Sequence, residues 1–318
     1  MSDSLDLTTL DDAGFARLYE ARIKPCFEAH EPERLAALNI FKQRLAIGGA
    51  ITAALVLGVG VGFRDGLFAL FAALFAGVFA FAWAYSKLAA VAEKVKRASL
   101  TAIAEPLGVT YQMHVPAPPA KERLRALGLL PSHDRAKYED RFFGTYQQAS
   151  FDLYEAHLER KSTDSKGRTQ WSTVFRGQCV RLAFPREFLG VTVVRRDAGV
   201  FNVFGGGKNL KPVRLEDPVF EKAFEVFSND QVEARYLLHP MFMQRLVDLE
   251  TALKGKRLRC AFEQGELLIA IEGGNLFEPG GMFKPLADPA RARKIVDDIA
   301  GVLKVLDAVL TAQARRTV

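Results

Sequence analysis

The chain has 318 residues, 43 Lys and Arg against 37 Asp and Glu, a net charge of +6 and 49% hydrophobic residues. This leaves room for a membrane unit beside one or two soluble domains. The basic residues gather beside two apolar runs, so anionic lipid head groups are the expected partner and nucleic acid is not. Cys26, Cys179 and Cys260 are odd in number and far apart, which excludes a disulfide framework and fits reduced core residues.

After a polar leader, Leu10, Phe15, Leu18, Tyr19, Ile23 and Phe27 recur at helical spacing. No apolar stretch with a cleavage site stands at the N-terminus, so no cleavable signal peptide is expected. Pro32 is expected to open a second short helix, because Pro is tolerated in a first helical turn.

Two uncharged segments follow, Leu45–Phe63 and Leu67–Tyr85. At ~1.5 Å per residue each reaches close to the ~30 Å thickness of a hydrocarbon core. The four-residue stretch around Arg64 and Asp65 forces the two into an antiparallel transmembrane hairpin. Lys42 and Arg44 before it and Lys87, Lys94, Lys96 and Arg97 after it outweigh Arg64, so both termini and the main domain are expected in the cytoplasm, at a bacterial inner membrane. Gly58 and Gly62, with Ala54 a turn earlier, share a face where a neighbouring helix could approach closely. That neighbour is expected to be the second span, with homo-oligomerisation as the alternative. No ionisable residue lies inside either span, which argues against a proton relay.

Lys87–Ala104 continues helically as a basic stalk, the expected contact for anionic lipid, until Pro106 and Gly108 stop it. The run around Pro116, Pro118 and Pro119 is then expected to be a stiff linker. The resulting division is 1–44 N-terminal amphipathic helices, 45–85 hairpin, 86–119 stalk and linker, and 120–318 cytoplasmic domain.

Within that domain residues 120–148 hold a short helix ended by Pro131 and then a second, polar-aromatic stretch through Tyr138, Phe142 and Phe143, after which the period changes. Ala149–Arg160 and Gln170–Phe184 alternate and read as an antiparallel pair, with a phase slip that places a bulge at Gly177. Val191–Arg195 and Val200–Phe204 read as further strands. Gly205–Lys208 lacks the frame of a phosphate loop, since Asn209 follows the Lys and Pro212 interrupts. Asp217-Pro218 starts a helix with Phe220, Phe224 and Phe227 facing inward. Another segment runs from Gln231 to His239, and a longer helix from Pro240 to Lys254 stops at Gly255. Leu258, Cys260 and Phe262 mirror Leu267, Ile269 and Ile271 about Gln264-Gly265, a hairpin with one apolar face. Asp288-Pro289 caps a last helix with Ile295, Ile299, Val302, Leu306 and Val309 as its stripe. The whole is α+β: a two-helix transmembrane hairpin followed by a soluble antiparallel sheet domain with helices packed on it.

The phrases Val174-Phe-Arg-Gly177, Gly190–Asp197, Phe227–Tyr236 with His239-Pro240, and Asn275-Leu-Phe-Glu278 resemble the bacterial family catalogued as domain of unknown function 3137. The likeness covers roughly residues 135–310 and, in layout, the preceding hairpin. It implies two spans ahead of an α+β region and names no catalytic residue.

Asp230, Glu233, Arg235 and His239 are the candidates for polar chemistry. A structural account of them is available: Asp230 as a helix cap, Arg235 in an ion pair, His239 in the turn before Pro240. No His-x-x-x-His, Cys-x-x-Cys or Gly-x-Ser-x-Gly spacing occurs, so no metal and no cofactor are expected. The favoured function is a membrane-anchored cytoplasmic binding or scaffold module that recruits a protein partner. The alternative is a membrane-anchored enzyme with a polar site near 230–239. A pocket collecting those side chains would favour the enzyme, and an apolar patch or open sheet edge the module.

Overall fold

The computed structural model describes residues 11–63, 66–146, 149–164, 166–183, 187–196, 209–252, 256–278 and 280–300. They divide into two compact units, one formed by Asp11–Ile103 with Glu278–Arg293 and the other by Ala104–Phe277 with the chain from Lys294.

The first unit is helical. Helix α1 (Asp12–Leu18) starts at Asp11, whose Oδ1 accepts the Gly14 N–H at 2.7 Å. A π-helical turn, Tyr19–Ile23, carries it into α2 (Lys24–Phe63). The expected break at Pro32 is not made, and α2 continues through it. A missing N–H costs one backbone bond, whereas the buried stripe of Ile23, Phe27, Arg34, Ala37 and Phe41 runs unbroken across the proline.

Helix α3 (Gly66–Ala104) returns alongside α2. Phe41 meets Phe81 and Tyr85, Arg44 donates to the Trp83 carbonyl, and Lys94 pairs with Glu33. The helices come close at Gly48, where a Cβ would lie 2.6 Å from that of Ala80. Gly58, expected to mark the crossing, has open space beside it. Both helices are long and apolar enough to cross a membrane, and only 11% of each apolar window is buried. The turn at Arg64 and Asp65 lies outside the described residues.

Residues 278–293, expected in the sheet domain, belong to the helical unit. Arg34 Nη1 donates to the Met282 carbonyl at 2.9 Å, Glu31 accepts the Leu286 N–H at 3.1 Å, and Lys96 pairs with Glu278.

The second unit holds β1 (Val109–His114), α4 (Lys121–Ala126), β2 (Arg135–Tyr146), β3 (Ala149–Thr163), β4 (Thr169–Ala183), β5 (Thr192–Arg196), β6 (Lys211–Val213), α5 (Pro218–Ala223), β7 (Phe224–Ser228), α6 (Gln231–Leu237), α7 (Pro240–Ala252), β8 (Lys256–Glu263) and β9 (Glu266–Glu272). A last helix, α8, covers 289–300 and crosses from one unit to the next. The described strands form one antiparallel sheet in the order β1-β2-β3-β4-β9-β8-β5-β7-β6.

The sheet begins before the proline run. β1 pairs with β2 from Val109↔Gly144 to His114↔Glu139, so Pro116–Pro119 is a connection inside the sheet unit rather than its boundary. β2 itself occupies the polar-aromatic stretch ahead of Ala149, where the first strand was expected. It carries an irregularity between Glu139 and Phe142, with Asp140 at φ 53°, and this breaks the strict alternation. The predicted inward triplet Phe220, Phe224 and Phe227 is divided between α5 and β7. The aromatic and β-branched run Phe224–Ser228 extends as a strand because β5 and β6 flank it on both sides. Pro212 sits on edge strand β6, where a missing ladder donor is tolerated. Val200–Phe204, Gly205–Lys208 and the positions Val302, Leu306 and Val309 lie outside the described residues.

The expected bulge falls three residues early, where Leu158↔Phe175 gives way to Glu159↔Thr173 and Val174 is skipped. Gly177 has another task. β9 approaches so closely that a Cβ there would run into the Ile271 carbonyl oxygen.

The late hairpin buries both faces rather than one. Leu258, Cys260, Phe262, Leu267, Ile269 and Ile271 are enclosed as expected, with Phe262 against Phe188 and Phe242. The opposite positions Ala261, Leu268 and Ala270 join Tyr154, Cys179 and Leu124 in a second core under α4. Phe262→Ala should therefore cost about 3–5 kcal/mol in chemical unfolding of the full chain. Gly177→Ala should cost about 1–3 kcal/mol by forcing β4 and β9 apart, and wild-type stability for either would contradict the packing.

Candidate functional site

The polar set around α6 is divided by the fold. Asp230, in extended backbone, caps α6, its Oδ1 accepting the N–H groups of Val232 at 3.0 Å and Glu233 at 2.8 Å. This is the role an Asp ahead of a helix takes, satisfying donors that have no partner in the first turn. Glu233 is buried and turns back to the chain entering β5, where its two oxygens accept the N–H groups of Leu189 and Gly190, each at 2.8 Å. Asn229 adds a bond from its Oδ1 to the Val191 N–H at 2.7 Å, and Ser228 Oγ donates to the Val191 carbonyl at 3.0 Å. Asp230 thus serves its own helix, while Glu233, with Asn229 and Ser228, fastens two chain segments together.

Arg235 and His239 face elsewhere. With Asp217, Leu238 and Met243 they line a groove of about 610 Å³ beside α5, α6 and α7. Arg235 is exposed and reaches back to Gln231, donating to its carbonyl at 3.3 Å. Asp217 Oδ1 takes the Phe220 N–H at 3.0 Å as a helix cap, and the His239 ring accepts the Phe242 N–H at 3.4 Å. Among the described residues no Ser, Thr or Cys lines the groove. It offers a cation, an imidazole and the carboxylates of Glu216 and Asp217, a set suited to holding a small polar group.

The densest charge cluster spans the α4 side of the sheet. Arg123 pairs with Glu263 at 2.8 Å and Glu266 at 2.5 Å, Arg181 pairs with Glu266 at 2.8 Å and Asp152 at 2.5 Å, and Arg141 also binds Asp152. Every carboxylate in it meets an Arg, so it ties α4 to β3, β4 and β9. Among the described residues no group of three or more His, Cys, Asp or Glu is placed to hold a metal ion. The thiols are free, and burial pushes Cys179 up to about 12 and raises Cys260 as well, which keeps both unreactive.

The sheet also presents a feature that candidate residues alone did not reveal. β9 pairs with β4 only from Gly177 to Ala183, while β3 pairs with β4 back to Thr169. Among the described strands, the far half of the β3–β4 hairpin is therefore a two-stranded ribbon with an open edge on β4. Thr169–Thr173 is exposed, and Trp171, 42% exposed, lies against the Arg135 guanidinium at 4.4 Å. The abrupt end of β9 at the paired glycines 273 and 274 was the available signal.

The fold is thus a sheet unit of nine described strands together with a pair of long apolar helices. Residues 173–310 match the model of the family described as "Protein of unknown function (DUF3137)". Comparison with curated proteins gives no match. Among solved structures, the crystal structure of the mycobacterial trehalose monomycolate transport factor A, TtfA, aligns at 11% identity with a TM-score of 0.35, over 64% of this chain and 92% of that one. At that level of likeness neither fold nor function passes from one protein to the other.

The division of the polar set makes opposite predictions for its members. Glu233→Gln replaces one of two acceptors by a donor facing an N–H and should cost about 1–3 kcal/mol, while exposed Arg235→Ala should stay within about 0.5 kcal/mol. Chemical unfolding of both full-length variants checks this, and the reverse order would return Glu233 to the list of residues available for chemistry.

Proposed function

We propose that the protein is a membrane-anchored binding or scaffold module whose sheet unit recruits a protein partner at the inner membrane face. The observation that carries this reading is the surface of α2 and α3. Phe75 is 72% exposed and Phe79 76%, and Leu57, Leu67, Leu70 and Leu74 are exposed with them. An apolar surface of that extent needs a non-aqueous medium, and helices satisfy their own backbone bonds there. Arg44 stacks on Trp83 at 4.8 Å near one end of the pair, the position of an interfacial anchor. In the sheet unit, the use of Asp230 as a helix cap and of Glu233 to fasten the β5 entry supports binding over catalysis.

The charge asymmetry around the helix pair supports cytoplasmic termini. The stalk keeps a supporting part in the lipid contact. Lys94 and Lys96 are engaged by Glu33 and Glu278, and Arg97 lies 3.7 Å from Glu93. Lys42 and Lys87 are then the cations offered to head groups. Gly58, with open space beside it, is where a second hairpin would pack if the protein forms homo-oligomers.

Membranes from cells making the full chain should retain it through alkaline carbonate washing, and reporters fused at Thr8 and after Val318 should both score as cytoplasmic. Release by carbonate would remove the anchor from the account, and either reporter on the far side would overturn the orientation.

A further inference from the structure

We infer that the open edge of β4 is a docking strand for an extended acidic peptide segment of a partner protein, which adds to the sheet beside Thr169–Thr173. The inference rests on the module reading and supplies the chemical class of its partner.

The ladder phase sets which backbone groups are on offer. The Asp164 N–H donates to the Arg168 carbonyl at 3.0 Å and closes the turn of the ribbon. Antiparallel pairs alternate between bonded and non-bonded. The next pair, Thr163↔Thr169, is non-bonded, and Ser162↔Gln170 is bonded. The main-chain N–H and C=O groups of Thr169, Trp171 and Thr173 accordingly point away from β3, at the spacing of one more strand. Toward the sheet centre the edge closes where the Gly273 N–H donates to the Arg176 carbonyl at 2.8 Å. A recess of about 570 Å³ opens beside this point, lined by Thr173, Arg176, Lys256, Arg257 and Gly273, together with Glu272.

Charge selects the occupant. Glu272 is engaged by Arg257 and Arg259, and Arg168 pairs with Asp164. Among the described residues, no carboxylate pairs with Lys161, Lys166 or Lys256. A strand bearing Asp or Glu on alternate residues would meet these cations while its backbone completes the ladder. Backbone bonds then supply affinity and the lysines set the sign of the partner. A flat anionic surface would satisfy the cations and leave the outward N–H and C=O groups of the edge in water, so a peptide uses more of what the ribbon presents.

The test places the full chain in nanodiscs of neutral phosphatidylcholine and titrates a fluorescein-labelled hexapeptide of alternating Glu and Val, alongside its Lys and Val counterpart. The acidic peptide should bind and the basic one should not. N-methylation of alternate residues should weaken binding at least tenfold in one phase and leave it unchanged in the other, because only one set of N–H groups faces β4. Lys161→Glu with Lys256→Glu, both exposed, should weaken it at least tenfold with an unchanged unfolding midpoint. Thr169→Pro, which removes an outward N–H, should do the same.

No binding, or equal loss in both methylation phases, overturns the docking strand, and carbonate-resistant membranes would leave the module reading standing. Peptide binding untouched by the charge reversal, with binding to vesicles containing anionic phosphatidylglycerol lost instead, overturns it in favour of lipid. Release of the chain by carbonate would count against the anchor and not against the edge.

Discussion

The sheet unit depends on the contact between Gly177 and the end of β9. With no side chain at 177, the Ile271–Gly273 backbone lies directly on β4, and the Arg176 carbonyl accepts the Gly273 N–H. This contact fixes the β4–β9 register, since a slip by one residue would turn every side chain of β9 to the other face. It also decides where β9 leaves the sheet. Because that departure comes seven residues along a fifteen-residue strand, the remainder of the β3–β4 hairpin is left without a neighbour on one side. The burial of the central strands and the exposure of the ribbon share this cause.

The four phrases that carried the family resemblance turn out to be two pairs. Gly190 and Val191 receive their bonds from Asn229 and Glu233 of the Phe227–Tyr236 phrase. Arg176, in the Val174–Gly177 phrase, donates to Asn275 Oδ1 at 3.1 Å, and the following Leu276 N–H bonds to buried Glu155 at 2.7 Å. In each pair a polar side chain satisfies backbone donors at a chain crossing where regular sheet bonding stops. Buried backbone groups without partners are costly, so these residues are needed for the path of the chain. Their chemistry as motifs is the chemistry of fastening.

The parts legible in the sequence are those with one dominant signal. The apolar helices announced themselves by length and lack of charge, the β3–β4 and β8–β9 hairpins by alternation around turn residues, and the α6 cap by Asp230. The parts that were not legible have competing signals. β1 is short and lies between a helix end and a proline run, and β2 has its alternation broken at Asp140. Phe224 and Phe227 satisfy a helical period and a strand period at once, and only their neighbours β5 and β6 decide between them. Residues 278–293 have no sequence mark of their allegiance, because Arg34 and Glu31 reach them from more than two hundred residues away. Of the candidate residues, the sequence grouped Asp230, Glu233, Arg235 and His239 by proximity along the chain. α6 sends Glu233 to the β5 entry and Arg235 to the groove, as their spacing of two on a helix requires.

The distribution of charge separates the two ends of the problem. The stalk cations that looked most suited to lipid are held by Glu33, Glu278 and Glu93 inside the helical unit. The lysines of the ribbon and of the β8 start carry no such counter-charge among the described residues. An ion pair on an exposed surface contributes little to stability, so the stalk pairs matter chiefly because they spend positive charge locally. Lysines along an open strand also repel edge-to-edge pairing with another copy of the same ribbon, which would bring like charges together. In the proposed docking the same side chains would disfavour self-association and admit a strand of opposite charge. Selectivity of that kind needs no pocket and no catalytic group, which accounts for a sheet unit whose polar residues are otherwise occupied in holding the chain in place.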